Sequence, residues 1–166
     1  EQFKAALDAQ SADGGGDTPE AMDEALVWVP ALGWRTGDVA RMAVLVADAP
    51  PHEDRAQATV NTFDGLRTHG IKLYPLAASG VDVEAERLMR LGAQATGGRY
   101  MFLTNDSGVG GDHQEPTIPC YQVRKLRDVV SYEIASELSG VRGPVPDASV
   151  IRSVGDPTGG VCELES

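Results

Sequence analysis

The chain is 166 residues long, 42% apolar and 23% charged, the balance of a single globular domain with a real core rather than of a disordered segment. Its net charge of −11 excludes nucleic acid as the main partner, because binding phosphates requires a basic face. No apolar stretch reaches the length of a membrane span, and no basic-then-apolar leader opens the sequence, which starts at Glu1.

Aromatic residues are scarce at 5% and glycines number 19, which suits an α/β protein with aliphatic strands and tight connections. Residues 2–9 read as the end of a helix. Gly14-Gly15-Gly16-Asp17-Thr18-Pro19-Glu20 then forms a glycine-rich loop opening a second helix, with Asp17 or Thr18 as N-cap and Pro19 in the first turn. Ala21, Met22, Ala25, Leu26 and Val29 recur at helical spacing, and the helix ends near Pro30. Residues 42–47 are apolar without a break, as a central parallel strand buried on both faces requires, and they run into Asp48-Ala49-Pro50-Pro51.

A helix over 54–69 follows, with Ala58, Phe63 and Leu66 inward and Gly70 as its stop. Residues 71–77 are a strand whose Pro75 suggests an edge position or an irregular end. Asp82 caps a further helix that ends at Gly97-Gly98, and 99–103 is a short strand. A polar loop over 104–119 leads to a last long helix over about 121–138. From Gly140 on, three prolines and several glycines predict an extended tail, so that the domain spans 1–139 and the tail 140–166. Helices and strands alternating in this way predict right-handed crossovers onto a mostly parallel sheet with helices on both faces.

In such sheets ligands bind beyond the carboxyl ends of the strands. Asp48 follows the most apolar strand, and Asp17 and Thr18 sit in the loop that opens the first full helix. Carboxylates and a hydroxyl gathered there suit a hard cation such as Mg²⁺. Taken singly, Asp17 also reads as a helix cap, and Asp48 as a turn residue or as the acidic group of a hydrolase or phosphotransferase. The loop residues Asn105, Asp106, Asp112, His113 and Glu115 lack the spacing of a helix–loop–helix calcium site and read as a polar surface loop. His52 and His113 have no partner at zinc-ligand spacing, and each reads as a surface or capping residue.

No nucleophile elbow, phosphate-binding lysine loop or dinucleotide fingerprint occurs, and Ser79 and Ser107 have no evident base in the sequence. Cys120 and Cys162 allow one intramolecular pair. A disulfide pinning the tail suits an exported protein and two buried thiols a cytosolic one; the irregular flanks at Pro119 and Gly159-Gly160 favour the disulfide.

Together, Gly14–Ala21 (GGGDTPEA) and Val44–His52 (VLVADAPPH) resemble the second and third metal loops of bacterial von Willebrand A-type domains. Gly70–Ala77 (GIKLYPLA) resembles that family's next strand, and Ala95–Tyr100 (ATGGRY) the segment before its last one, so the resemblance spans about residues 1–138. It implies a three-layer Rossmann-like sandwich and a non-catalytic, adhesion-type module holding Mg²⁺, or Mn²⁺ or Ca²⁺, whose open position takes an acidic group of a partner protein; the alternative on the same fold is a metal-free scaffold kept only for interaction. Asp17 falls in the second-loop role, Asp48 in the third-loop role, and Thr18 contributes through water. The family's first-strand Asp-x-Ser-x-Ser is nowhere in this chain; Asp147-Ala148-Ser149 is the nearest approach and lacks the second Ser. The expectation is therefore a domain whose N-terminal strands lie upstream of Glu1, secreted, periplasmic or on the cell surface.

Overall fold

The computed structural model describes residues 2–11, 19–107, 113, 115–156 and 162. Ten elements follow in order: α1 (Gln2–Asp8), α2 (Met22–Trp28), β1 (Arg41–Ala47), α3 (Ala56–Thr68), β2 (Ile71–Ala77), α4 (Val83–Thr96), β3 (Met101–Phe102), β4 (Tyr121–Arg124), α5 (Leu126–Ser139) and β5 (Val150–Val154). The architecture is α/β: β1, β2 and β3 form a parallel sheet in that order, and β4 and β5 form a separate antiparallel pair.

The period-two alternation of β2 divides the core into two layers. Ile71, Leu73 and Ala77 face a cluster built from Met22 and Leu26 of α2, Phe63 and Leu66 of α3, and Ala85 and Met89 of α4. Tyr74 and Leu76 face the opposite way, with Met101, onto Val129 and Val130 of α5. Helices thus cover both faces of β2. Phe63 and Leu66 are buried as the helical spacing requires, whereas Ala58 is only half-buried and Thr59 takes the inward position.

Several local expectations differ from the structure. Pro75 lies in the central strand of the three, paired across from Leu45. The geometry on the side its N–H would face explains why this is tolerated. Leu73, two residues earlier and on the same side, donates its N–H to the hydroxyl of Thr96 at 2.9 Å rather than to a strand. On that side β3 begins to pair only at Leu76, so no ladder bond is lost at Pro75.

β1 is the outer strand of the described sheet, not a central one. Ala43, Leu45 and Ala47 pack onto the first cluster, while Val44 and Val46 are 52% and 61% exposed. Helix α2 starts at Met22, so Pro19 and Glu20 precede it rather than forming its first turn.

The last helix is shorter than its pattern suggests, because Tyr121–Arg124 is strand β4. Its partner comes from the tail: β5 returns antiparallel, pairing Tyr121 with Val154 and Val123 with Arg152. The tail therefore carries a strand of its own. Cys120 and Cys162 are joined as a disulfide, with their Cα atoms 5.6 Å apart.

Candidate functional site

The carboxyl end of β1 is built by three backbone connections. Glu20 N–H donates to Pro50 C=O at 2.9 Å, and Glu20 pairs with Pro51 as an isolated parallel bridge. The segment entering α2 is thereby joined to the turn that leaves β1. Ala78 N–H donates to Ala47 C=O at 2.9 Å, which brings the end of β2 alongside. Gly80 then turns the chain at φ +94°, where a Cβ would stand 3.2 Å from the carbonyl oxygen of Asp48, so a side chain is disfavoured by conformation and by space.

Helix α2 is held in place by its apolar face and by Arg55, which pairs closely with Asp23 and more distantly, at 3.9 Å, with Glu24. Met22 and Leu26 are buried, and Asp23 between them is 5% exposed. Oδ2 of Asp23 accepts from Nε of Arg55 at 3.0 Å and from Nη2 at 2.5 Å, which links the start of α2 to the start of α3. The hydrogen bond to Asp23, followed by its charge, holds the Arg55 guanidinium above its usual value. A buried carboxylate satisfied in this way is stable; removing the arginine would strand it.

Asp48 follows β1 with an exposed side chain, at the position the parallel topology assigns to ligand contacts. Asp17 and Thr18 lie outside the described residues. Among the described residues no group of three or more His, Cys, Asp and Glu side chains could hold a metal ion. Asp48 is thus the one acidic side chain of the sequence-derived site that the described structure positions.

The next loop adds contacts that the sequence reading did not contain. Ser79 and His113 stand 3.2 Å apart, Oγ to Nδ1, and His113 is buried rather than a surface residue. His113 N–H donates to Oδ1 of Asn105 at 2.8 Å. These bonds fasten the stretch after β3 to the turn after β2. Thr104, buried at the end of β3, donates to Oδ2 of Asp106 at 3.2 Å.

Asp106 and Glu115, both weighed above as loop oxygen donors, face a cation already present in the chain. Arg152 of β5 donates to Asp106 at 3.2 and 2.9 Å and to Glu115 at 3.0 Å. The hydrogen bond from Arg152 outweighs partial burial and holds the Asp106 carboxyl below the usual range. Only the fold could reveal this pairing, since Arg152 lies 46 residues from Asp106.

Fold and site together define an α/β protein with a parallel sheet and an exposed aspartate at the carboxyl end of its outer strand. Comparison with protein-family models, with curated proteins and with solved structures finds none that this chain matches. No described helix is long and apolar enough to cross a membrane.

Proposed function

We propose that this chain is the carboxyl-terminal portion of a von Willebrand A-type domain and acts as a divalent-cation-dependent binding module, not as an enzyme. The observation that carries the reading is the junction of Glu20 with Pro50 and Pro51. It sets the segment just downstream of Asp17 and Thr18 against the turn that bears Asp48. In the proposal these three residues face one cation, Asp48 and Asp17 through carboxylates and Thr18 through water.

The donor set of this chain alone is short of a complete site. Mg²⁺ takes about six oxygen ligands in an octahedron, and the described residues contribute the single carboxylate of Asp48. The missing Asp-x-Ser-x-Ser belongs, in this reading, to a further strand along the outer edge of β1. One feature supports that placement: among the described residues β1 pairs on one side only, with its other edge open to a further strand. A cation held there polarises and charge-pairs with an acidic group of a partner protein. The Cys120–Cys162 disulfide supports a location outside the cytoplasm.

Calorimetric titration of Mn²⁺ into the full-length protein tests the reading. Asp48→Ala is expected to lower affinity about tenfold or more, the cost typical of losing a site's support. Equal affinity of wild type and variant would sink it. The 166 residues alone are expected to bind weakly or not at all, and a tight stoichiometric site in them would contradict the need for a further strand. Turnover of p-nitrophenyl phosphate that disappears with Asp48→Ala would replace the binding module with a phosphotransferase.

A further inference from the structure

A cavity of about 470 Å³ lies between β3, β4 and α5, on the opposite side of β3 from the core helices and away from Asp48. Its lining is cationic in a chain that is otherwise strongly acidic. Arg99, Arg124 and Arg142 line it against a single carboxylate, Glu133, which leaves +2 (three minus one) in a molecule of net charge −11. The rest of the wall is largely apolar, with Leu76, Met101, Leu103 and Val129 along one side.

The one carboxylate is already committed. Both oxygens of Glu133 accept from the Arg142 guanidinium at 2.7 Å, with Arg99 Nε 4.0 Å away. Among the described residues Arg124 has no such carboxylate partner. Its guanidinium lies 5.1 Å from the centre of the Tyr132 ring, and its Nη2 makes one long bond, 3.4 Å, to the Asp128 carbonyl. Its Nε is fully buried with no hydrogen-bond acceptor among the described residues. Nε itself is closed to the cavity, so an anion would meet the rest of the guanidinium that lines it, whose fork fits a planar or tetrahedral oxyanion.

We propose that this cavity binds a small organic anion, with a carboxylate or phosphate head against Arg124 and an apolar body along Leu76, Met101, Leu103 and Val129. The volume lies within the range of small-molecule sites, and the lining has their usual character of apolar walls with a few convergent polar groups. The site is separate from Asp48, so it stands or falls independently of the cation reading.

Octanoate, octyl phosphate, octanol and octylamine, each titrated into the chain and followed by calorimetry and by thermal melting, test the proposal. At least one of the two anions is expected to bind saturably with Kd below about 1 mM, raising Tm, while octanol and octylamine leave it unchanged. Binding by octyl phosphate alone assigns a phosphate head, and by octanoate alone a carboxylate head.

Arg124→Gln removes the unsatisfied charge, so the unliganded variant should melt no lower than wild type while anion affinity falls about tenfold or more. Val129→Phe narrows the cavity along its apolar wall without changing charge and should weaken the same binding. Octylamine binding as well as octanoate, no saturable binding by either anion up to about 10 mM, or undiminished binding by Arg124→Gln would overturn the proposal.

Discussion

A Cβ on Gly98 would stand 1.8 Å from the carbonyl oxygen of Leu73 and 2.7 Å from its carbonyl carbon. No rotamer relieves a contact between backbone atoms, so Gly98→Ala must push β2 away from the turn that follows α4. We expect it to cost about 3 kcal/mol or more in denaturant unfolding, the scale of severe overpacking. Gly97 is the useful contrast. It sits at φ +74° with open space around its Cβ position, so Gly97→Ala should cost only the left-handed conformational penalty, about 1 kcal/mol. Equal losses for the two variants would show that conformation, not contact, governs the turn. Thr96 completes the device: its hydroxyl accepts from Leu73 N–H at 2.9 Å and donates to Gly92 C=O at 2.8 Å. The Ala-Thr-Gly-Gly run that reads in the sequence as a family signature thus has a local structural reason, the docking of α4 against a strand whose neighbour β3 is short.

The elements show the same reach and the same limit of local pattern. Asp82 reads as a helix cap and is one, its Oδ1 accepting from Ala85 N–H at 2.8 Å. Asp82→Ala should cost about 1 kcal/mol, measured by thermal or denaturant unfolding. Cap, helix and stop lie within a few residues of one another, so they are legible. The start of α5 is not, because β4 exists only through β5, and β5 begins 26 positions beyond the end of β4, across a helix and part of the tail. Pro75 misleads for a related reason, since its tolerance depends on which neighbour is missing. The long-range polar pairs are equally hidden. Glu137 of α5 accepts from Lys72 at 2.6 Å and from the Tyr74 hydroxyl at 2.7 Å, tying α5 to β2. Burial raises the Glu137 carboxyl, but the bonds from Lys72 and Tyr74 outweigh it and hold it below its usual value. Burial, reinforced by the bond to Glu137, pushes the Tyr74 hydroxyl far above its ordinary range. A carboxyl depressed on folding adds stability that is present above the unfolded pKa, about 4.3, and is lost as pH falls through the lower folded value. Glu137→Gln should therefore be less stable than wild type at neutral pH and flatten the stability loss below about pH 4. Parallel acid curves for the two chains would count against this pairing.

At the scale of the whole molecule, the alternation of helices and strands is enough to indicate a parallel sheet, and Asp48 stands at the carboxyl end of its strand β1. Hydropathy gives no sign of how the tail is used, since in Val150–Val154 the apolar Ile151 takes an exposed position and the charged Arg152 a half-buried one. What holds the tail is the β4–β5 ladder, the bonds of Arg152 to Asp106 and Glu115, and the disulfide from Cys120 to Cys162. That bridge closes a loop with a sequence separation of 42 residues, for which restriction of the unfolded chain contributes about 4 kcal/mol in the entropic account, and about 2–4 in practice. Its effect should be uneven. The core helices pack on β1 and β2 without help from β5, whereas among the described residues β4 and β5 have only each other as strand partners. In a Cys120→Ser/Cys162→Ser chain, hydrogen exchange is expected to accelerate at Tyr121–Arg124 and Val150–Val154 while amides of Arg41–Ala47 and Ile71–Ala77 keep most of their protection. Uniform acceleration across both sheets would mean that the bridge stabilises the molecule as one cooperative unit. Selective acceleration would make the tail a separately releasable element, fastened to a core that folds without it.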